Sequence, residues 1–195
     1  MKSSALKAQV EEWIYRGLSD TAWATINSNV RERINRRVRC VANMERAQIS
    51  PTEKKNQLIL PSDYLGVRNL RIDDTKVDYC SYNKMYSGTI EGGFYYTVVG
   101  REITMNVAIQ SPTALHMNYY YKARLLDEEE DKPHTISDDI PDIYLNLSIA
   151  EAFNFSFDTP NADKFYKLAD ATIMEINDDN VVDLWSHSSP AIQAA

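Results

Sequence analysis

Residues 94–107 read FYYTVVGREITMNV, and residues 114–125 read ALHMNYYYKARL. In the first stretch two runs rich in β-branched and aromatic residues flank Gly100-Arg101. A two-residue loop led by glycine matches a type II′ turn, whose twist suits the strands it joins. In the second stretch Leu115, Met117, Tyr119, Tyr121, Ala123 and Leu125 alternate with His116, Asn118, Tyr120, Lys122 and Arg124. A period of two with one apolar face predicts a half-buried antiparallel strand. The middle of the chain is therefore read as β structure.

Upstream, Leu58-Ile59-Leu60 is a short strand stopped by Pro61. Val77 and Tyr79, with Tyr82 at the limit, suggest another. The polar stretch ERAQISPTEKKN (45–56), with Pro51 inside it, reads as a loop. Before it the period becomes helical. Leu6, Val10, Trp13 and Ile14 lie on one face of a first helix that Gly17 ends. Ser19 or Asp20 then caps a second helix carrying Trp23, Ile26, Val30, Ile34, Val38 and Val41. Downstream, DEEEDKPHTISDD (127–139) is an acidic loop. Pro141, after Asp138 and Asp139, opens a third helix that is apolar on most sides from Ile143 to Phe157. Thr159 as cap and Pro160 as first helical residue start a fourth, with Phe165, Leu168, Ala169, Thr172, Ile173 and Ile176 as its stripe.

Strands gathered between pairs of helices indicate an α+β fold rather than alternating α/β. The expected architecture is a four-helix core with two N-terminal and two C-terminal helices. An antiparallel β module is inserted in it, and an extended C-terminal tail follows. The expected boundaries are 1–50 and 136–178 for the helical core, 57–126 for the inserted module and 179–195 for the tail.

The chain has 195 residues, of which 44% are hydrophobic and 25% charged, so it can bury a core of ordinary size. A net charge of −7 argues against nucleic acid as the main partner of the whole surface. No stretch approaches the roughly 20 apolar residues of a membrane span. The N-terminus lacks the apolar centre of a signal peptide, so folding in a cytoplasm is expected. Cys40 and Cys80 form no metal-binding spacing and are expected to be buried thiols. Twelve tyrosines suit either strands of a modest sheet or surfaces buried in one state and wet in another.

This series of elements resembles a known family. It runs from a helical hairpin with an arginine-rich second helix, through LPSDYLGVRNLRI (60–72), to the YYTVVGREITMNV hairpin. The strand MNYYYKARL and the helix IPDIYLNLSIAEAFNF (140–155) complete it. Over residues 5–178 it resembles the head-to-tail adaptor, or connector, proteins of tailed phages, chiefly the tail-tubular-A-like adaptors of short-tailed ones. The resemblance implies a structural subunit of the virion neck, folded in the host cytoplasm during assembly. It implies a homo-oligomeric ring, usually a dodecamer, beneath the portal protein. That ring continues the DNA channel, lets double-stranded DNA pass without sequence preference, and offers a platform to a tail or nozzle protein. It implies no enzymatic activity, no cofactor and no membrane. One departure is visible: the second hairpin strand runs into NVAIQSP, where relatives tend to have a proline-rich exit.

Three groups of residues are candidate subunit or portal contacts. Arg31, Arg33, Arg36, Arg37 and Arg39 lie on the second helix. At about 100° per residue they form no single stripe, and Arg37 falls inside the apolar arc. Such an arginine suits a junction where its stem is buried and its guanidinium meets a carboxylate. A solvated helix, a contact with another subunit or the portal, and a DNA-channel lining are all open. The second group is Glu128, Glu129 and Glu130 in the acidic loop, which is either solvated or the complement of that helix on a neighbour. The third is Val181, Val182, Leu184 and Trp185, apolar residues that need a surface, on this subunit or on the portal.

For catalysis the inventory is poor. His116, His134 and His187 have no partner at metal-ligand spacing. Gly92-Gly93 reads as a turn, and no nucleophile, phosphate-loop or zinc-protease motif occurs. The alternative to a structural adaptor is a non-structural binding or carbohydrate-hydrolase domain acting as a soluble monomer or small oligomer.

Overall fold

The computed structural model describes residues 2–40, 44–87, 92–123, 126 and 136–186, the last eight by backbone alone. The chain opens with α1 (Ser3–Ile14) and α2 (Asp20–Arg37). Four strands follow: β1 (Met44–Ile49), β2 (Lys55–Ile59), β3 (Tyr64–Ile72) and β4 (Thr75–Tyr79). A short α3 (Tyr82–Tyr86) precedes β5 (Phe94–Val99), β6 (Glu102–Ile109) and β7 (Leu115–Tyr121). The chain then returns to helix in α4 (Ile136–Asp139), α5 (Pro141–Phe155) and α6 (Thr159–Ser186). The fold is mixed α+β, in two compact units: residues 1–43 with 123–195, and residues 44–122.

In the helical unit α5 packs against α1, α2 and α6. Its buried face takes in Ile143, Tyr144, Leu147, Ile149, Ala150 and Ala152, which explains the apolar residues on most of its sides. Each fully buried Leu or Ile of this kind contributes roughly 1.5–3 kcal/mol. Pro141 occupies the first turn of α5, where a missing N–H leaves no orphan. Ser19 caps α2, its Oγ accepting from the Ala22 amide at 3.2 Å. Trp23 Nε1 donates to Ser3 Oγ at 2.9 Å inside the packing of α1 and α2.

Several local expectations need correction. α1 ends on Tyr15, which adopts the left-handed conformation (φ 50°), and not on Gly17. α6 is capped by Asp158, whose Oδ1 accepts from the Asn161 amide at 3.4 Å, rather than by Thr159. The expected tail from 179 is helical as far as Ser186. No glycine or proline lies between Asn161 and Ser186 to stop the helix there.

The β unit is a seven-stranded sheet in the order β1-β7-β3-β4-β5-β6-β2. β5 and β6 form the expected hairpin, with Val99 opposite Glu102 and a positive φ of 60° at Gly100. In β7 the residues Leu115, Met117, Tyr119 and Tyr121 join the apolar cluster of the sheet, with Leu70, Ile72, Ile103 and Met105. Two departures stand out. Residues 45–49, read as loop, belong to β1, an edge strand paired with β7 alone. The module is also not wholly antiparallel, because β4 and β5 run parallel. The connection between them carries α3, as the crossover of a parallel pair requires. Tyr82 thus starts a helix instead of ending a strand.

Candidate assembly surfaces

The five arginines of α2 and its C-terminal end part company in the structure. Arg33 Nε donates to Glu151 Oε1 at 2.7 Å, and its guanidinium lies 4.1 Å from the centre of the Tyr166 ring. Glu151 sits in the middle of α5, only 6% exposed. Its Oε1 also accepts from the Tyr166 hydroxyl at 2.8 Å, and its Oε2 accepts from Asn29 Nδ2 at 3.1 Å. One buried carboxylate therefore ties α2, α5 and α6 together. Burial, then the hydrogen bond to Glu151, pushes the Tyr166 hydroxyl up to about 12.

Arg37 pairs with Asp170 on α6. Arg39 Nη1 donates to the carbonyls of Asn35 (2.9 Å) and Val38 (2.6 Å). The Arg39 amide donates to Asn177 Oδ1 at 2.9 Å, while Asn177 Nδ2 donates to the Arg37 carbonyl at 2.8 Å. Arg31 pairs with Glu32 at 3.5 Å, and its Nε is buried without a hydrogen-bond partner among the described residues. Arg36 is exposed and forms no ion pair among the described residues. So Arg33 and Arg37 meet carboxylates of their own helical unit, and Arg36 is exposed without such a partner among the described residues.

The other two groups are less fully placed. Glu128, Glu129 and Glu130 lie outside the described residues. Val181, Val182, Leu184 and Trp185 fall on the last turns of α6, and their side chains lie outside the description.

Sequence reading missed Glu151. The signal was present: a carboxylate within LNLSIAEAF, a run buried on most sides, requires charged or hydrogen-bonding partners. It missed Asn35 as well, whose Oδ1 accepts from the buried Ala123 amide at 2.7 Å, where the chain re-enters the helical unit. Two aromatic side chains stand out on the helical unit, Tyr15 and Phe157, each 94% exposed and each at positive φ. Cys40 and Cys80 are both buried, as expected, and burial pushes the Cys80 thiol up.

This is an arrangement for holding helices and presenting charge. Among the described residues no group of three or more His, Cys, Asp or Glu could hold a metal ion. No described helix is long and apolar enough to cross a membrane. No curated protein matches the chain. A family profile does: the one described as SU10 adaptor protein matches residues 1–193.

Proposed function

Because this chain belongs to the SU10 adaptor protein family, a family of phage head–tail adaptors, we propose that it forms a ring beneath the portal of a tailed phage. Adaptors of this kind are structural proteins of the virion neck that contact other head and tail proteins. The proposed ring has twelve copies, extends the DNA channel and gives the tail or nozzle protein its docking platform. The observation that carries the reading is the family match across nearly the whole chain, which takes in both compact units.

Within that reading the contacts are assigned as follows. Arg36 faces a neighbouring subunit or the portal, being exposed and without an ion pair among the described residues. The helical end carrying Val181, Val182, Leu184 and Trp185 docks on the portal, with Trp185 as the aromatic anchor. Duplex DNA passes without base readout, so any binding to it weakens steeply with salt.

The test is incubation of the full chain with cognate portal rings, read by sedimentation and imaging. A stoichiometric second ring is expected, and portals that remain bare refute the assignment. Truncation after Asp179 separates the docking element from the rest. Portal attachment should be lost while the fold persists, and attachment at the full-length level removes Trp185 from the contact.

A further inference from the structure

The outer face of β1, β7 and β3 is a row-by-row lattice of cations and amides. His116 of β7 lies between Gln48 of β1 and Arg71 of β3. One row along, Asn118 lies between Arg46 and Asn69. Arg68, at the bulge in β3, reaches across to Met44 on β1, its Nη1 3.5 Å from the Met44 sulfur. Residues facing one another across an antiparallel pair project to the same side of the sheet. Leu115, Met117 and Tyr119 of β7 are committed to the core. The set with His116 and Asn118 therefore projects to the other side, and Arg46, Gln48, Asn69, Arg71 and His116 are all exposed.

No carboxylate of these three strands shares that side. Glu45 lies opposite Tyr119 and so projects with the core set. There the Tyr119 hydroxyl serves Glu45 Oε2 at 3.1 Å and Asp63 Oδ1 at 3.2 Å. On β1, β7 and β3 the charges are sorted, with Glu45 drawn to the core side and Arg46 and Arg71 left on the other.

The rest of the chain is the reverse. Residues 44–122 contain nine Lys and Arg against eight Asp and Glu, whereas the remainder has twelve against twenty. Much of that excess lies in 127–142, as Asp127, Glu128, Glu129, Glu130 and Asp131, followed by Asp138, Asp139 and Asp142. Asp139 and Asp142 are exposed at the start of α5. Arg33 and Arg37 of α2 are poor partners for this segment on a neighbour, since they already hold Glu151 and Asp170.

We propose that the basic face of β1-β7-β3 receives the acidic stretch 127–142 of a second copy of the chain. The inference rests on the ring reading above and names its subunit contact. A ring needs two different complementary surfaces on each copy, and opposite charge sets both their register and their encounter rate. The face favours carboxylates over nucleic acid because its one tyrosine, Tyr120, is buried, which leaves the His116 imidazole as the single exposed ring of these three strands, too few for a platform that stacks successive bases. Planar guanidinium groups beside amide donors suit a run of carboxylates.

The test uses full-length chains on cognate portal rings. Reversal at Arg46→Glu with Arg71→Glu should cut ring assembly by about tenfold, the loss of roughly 1.4 kcal/mol of contact free energy. Adding Glu128→Lys, Glu129→Lys and Glu130→Lys to the same chain should restore it. Both sites are exposed or lie outside the described elements, and circular dichroism melts check that each variant folds. Wild-type rings from the Arg46/Arg71 variant overturn the contact while leaving the adaptor reading intact. A loss that the compensating lysines fail to rescue also overturns it. So does a face that retains duplex DNA in wild type and releases it in the variant while ring assembly is unchanged. Bare portals with the wild-type chain refute the ring itself, a separate outcome.

Discussion

Arg33 and Glu151 meet 118 positions apart in sequence through a charged hydrogen bond of 2.7 Å, and the carboxylate accepts from Asn29 and Tyr166 as well. The two ends of the bond differ in exposure: the Glu151 side chain is 6% exposed and that of Arg33 40%. Removing the buried end is therefore worse. Glu151→Ala strands three donors and should cost about 2–4 kcal/mol. Arg33→Met leaves a carboxylate still holding two hydrogen bonds, and solvent screens the lost pair, so about 1–2 kcal/mol is expected. Urea unfolding of both variants and of the double variant measures this. Costs that simply add would show that the pair is uncoupled.

Asn35 offers a second, neutral case. Its side-chain oxygen accepts from the Ala123 amide at 2.7 Å in a buried setting. Asn35→Leu fills the same space and leaves that N–H without an acceptor. A loss of about 1–3 kcal/mol is expected, read as a lower denaturation midpoint with the slope unchanged.

The tyrosines predict how stability depends on alkaline pH. Burial and the Glu151 hydrogen bond raise Tyr166 to about 12 from its ordinary 10.0. Burial likewise raises Tyr96 to about 12. In the unfolded chain both lose their protons near 10, while the folded chain retains them. Their contribution is thus fully present below pH 10 and is lost as pH rises through about 12. Denaturation midpoints should be flat up to pH 10 and fall beyond it. Tyr166→Phe should make the fall shallower, and an unchanged slope would contradict the assignment.

Tyr15 and Phe157 both occupy left-handed backbone with their side chains 94% exposed. For an L-residue that conformation costs roughly 1–2 kcal/mol, and glycine avoids it at an entropic cost of about 0.5–1 kcal/mol. Almost no packing is lost on removing such exposed rings. Tyr15→Gly and Phe157→Gly should each stabilise the protein by about 0.5–1 kcal/mol. Thermal melts that shift downward would show that the rings hold something in place.

What could be read from the sequence followed from strong local periods. The Gly100 hairpin, the alternation in β7 and the all-round apolar α5 each carry their own signal, because one face or every face is buried. β1 carried none. It lies at the sheet edge with β7 as its single neighbour, so ERAQ can stay polar. Tyr15 as a helix stop defied composition, since glycine is the usual occupant of that conformation. The arginine helix was visible, but its partners Glu151 and Asp170 were not. A pairing across more than a hundred residues leaves no trace in spacing. The acidic run at 127–131 drew attention by density, whereas the carboxylates that actually bind Arg33 and Arg37 are isolated ones in helices.

Asn177 gives the sharpest test of how α2 ends. Its amide group works both ways at once, donating to the Arg37 carbonyl at 2.8 Å and accepting from the Arg39 amide at 2.9 Å. It thereby satisfies backbone groups at the α2 terminus that the helix itself leaves open. Asn177→Ala removes both bonds, and since water can reach the site the cost should be about 1 kcal/mol. Asn177→Asp keeps an acceptor for the Arg39 amide but sets a carboxylate oxygen against the Arg37 carbonyl. Hydrogen exchange at the Arg39 amide separates the two. Protection should survive in the Asp variant and vanish in the Ala variant, while the amides of α5 stay unchanged in both. Equal loss in both variants would mean that the Arg37 carbonyl contact, not the Arg39 amide, fixes the geometry at this end of the helix.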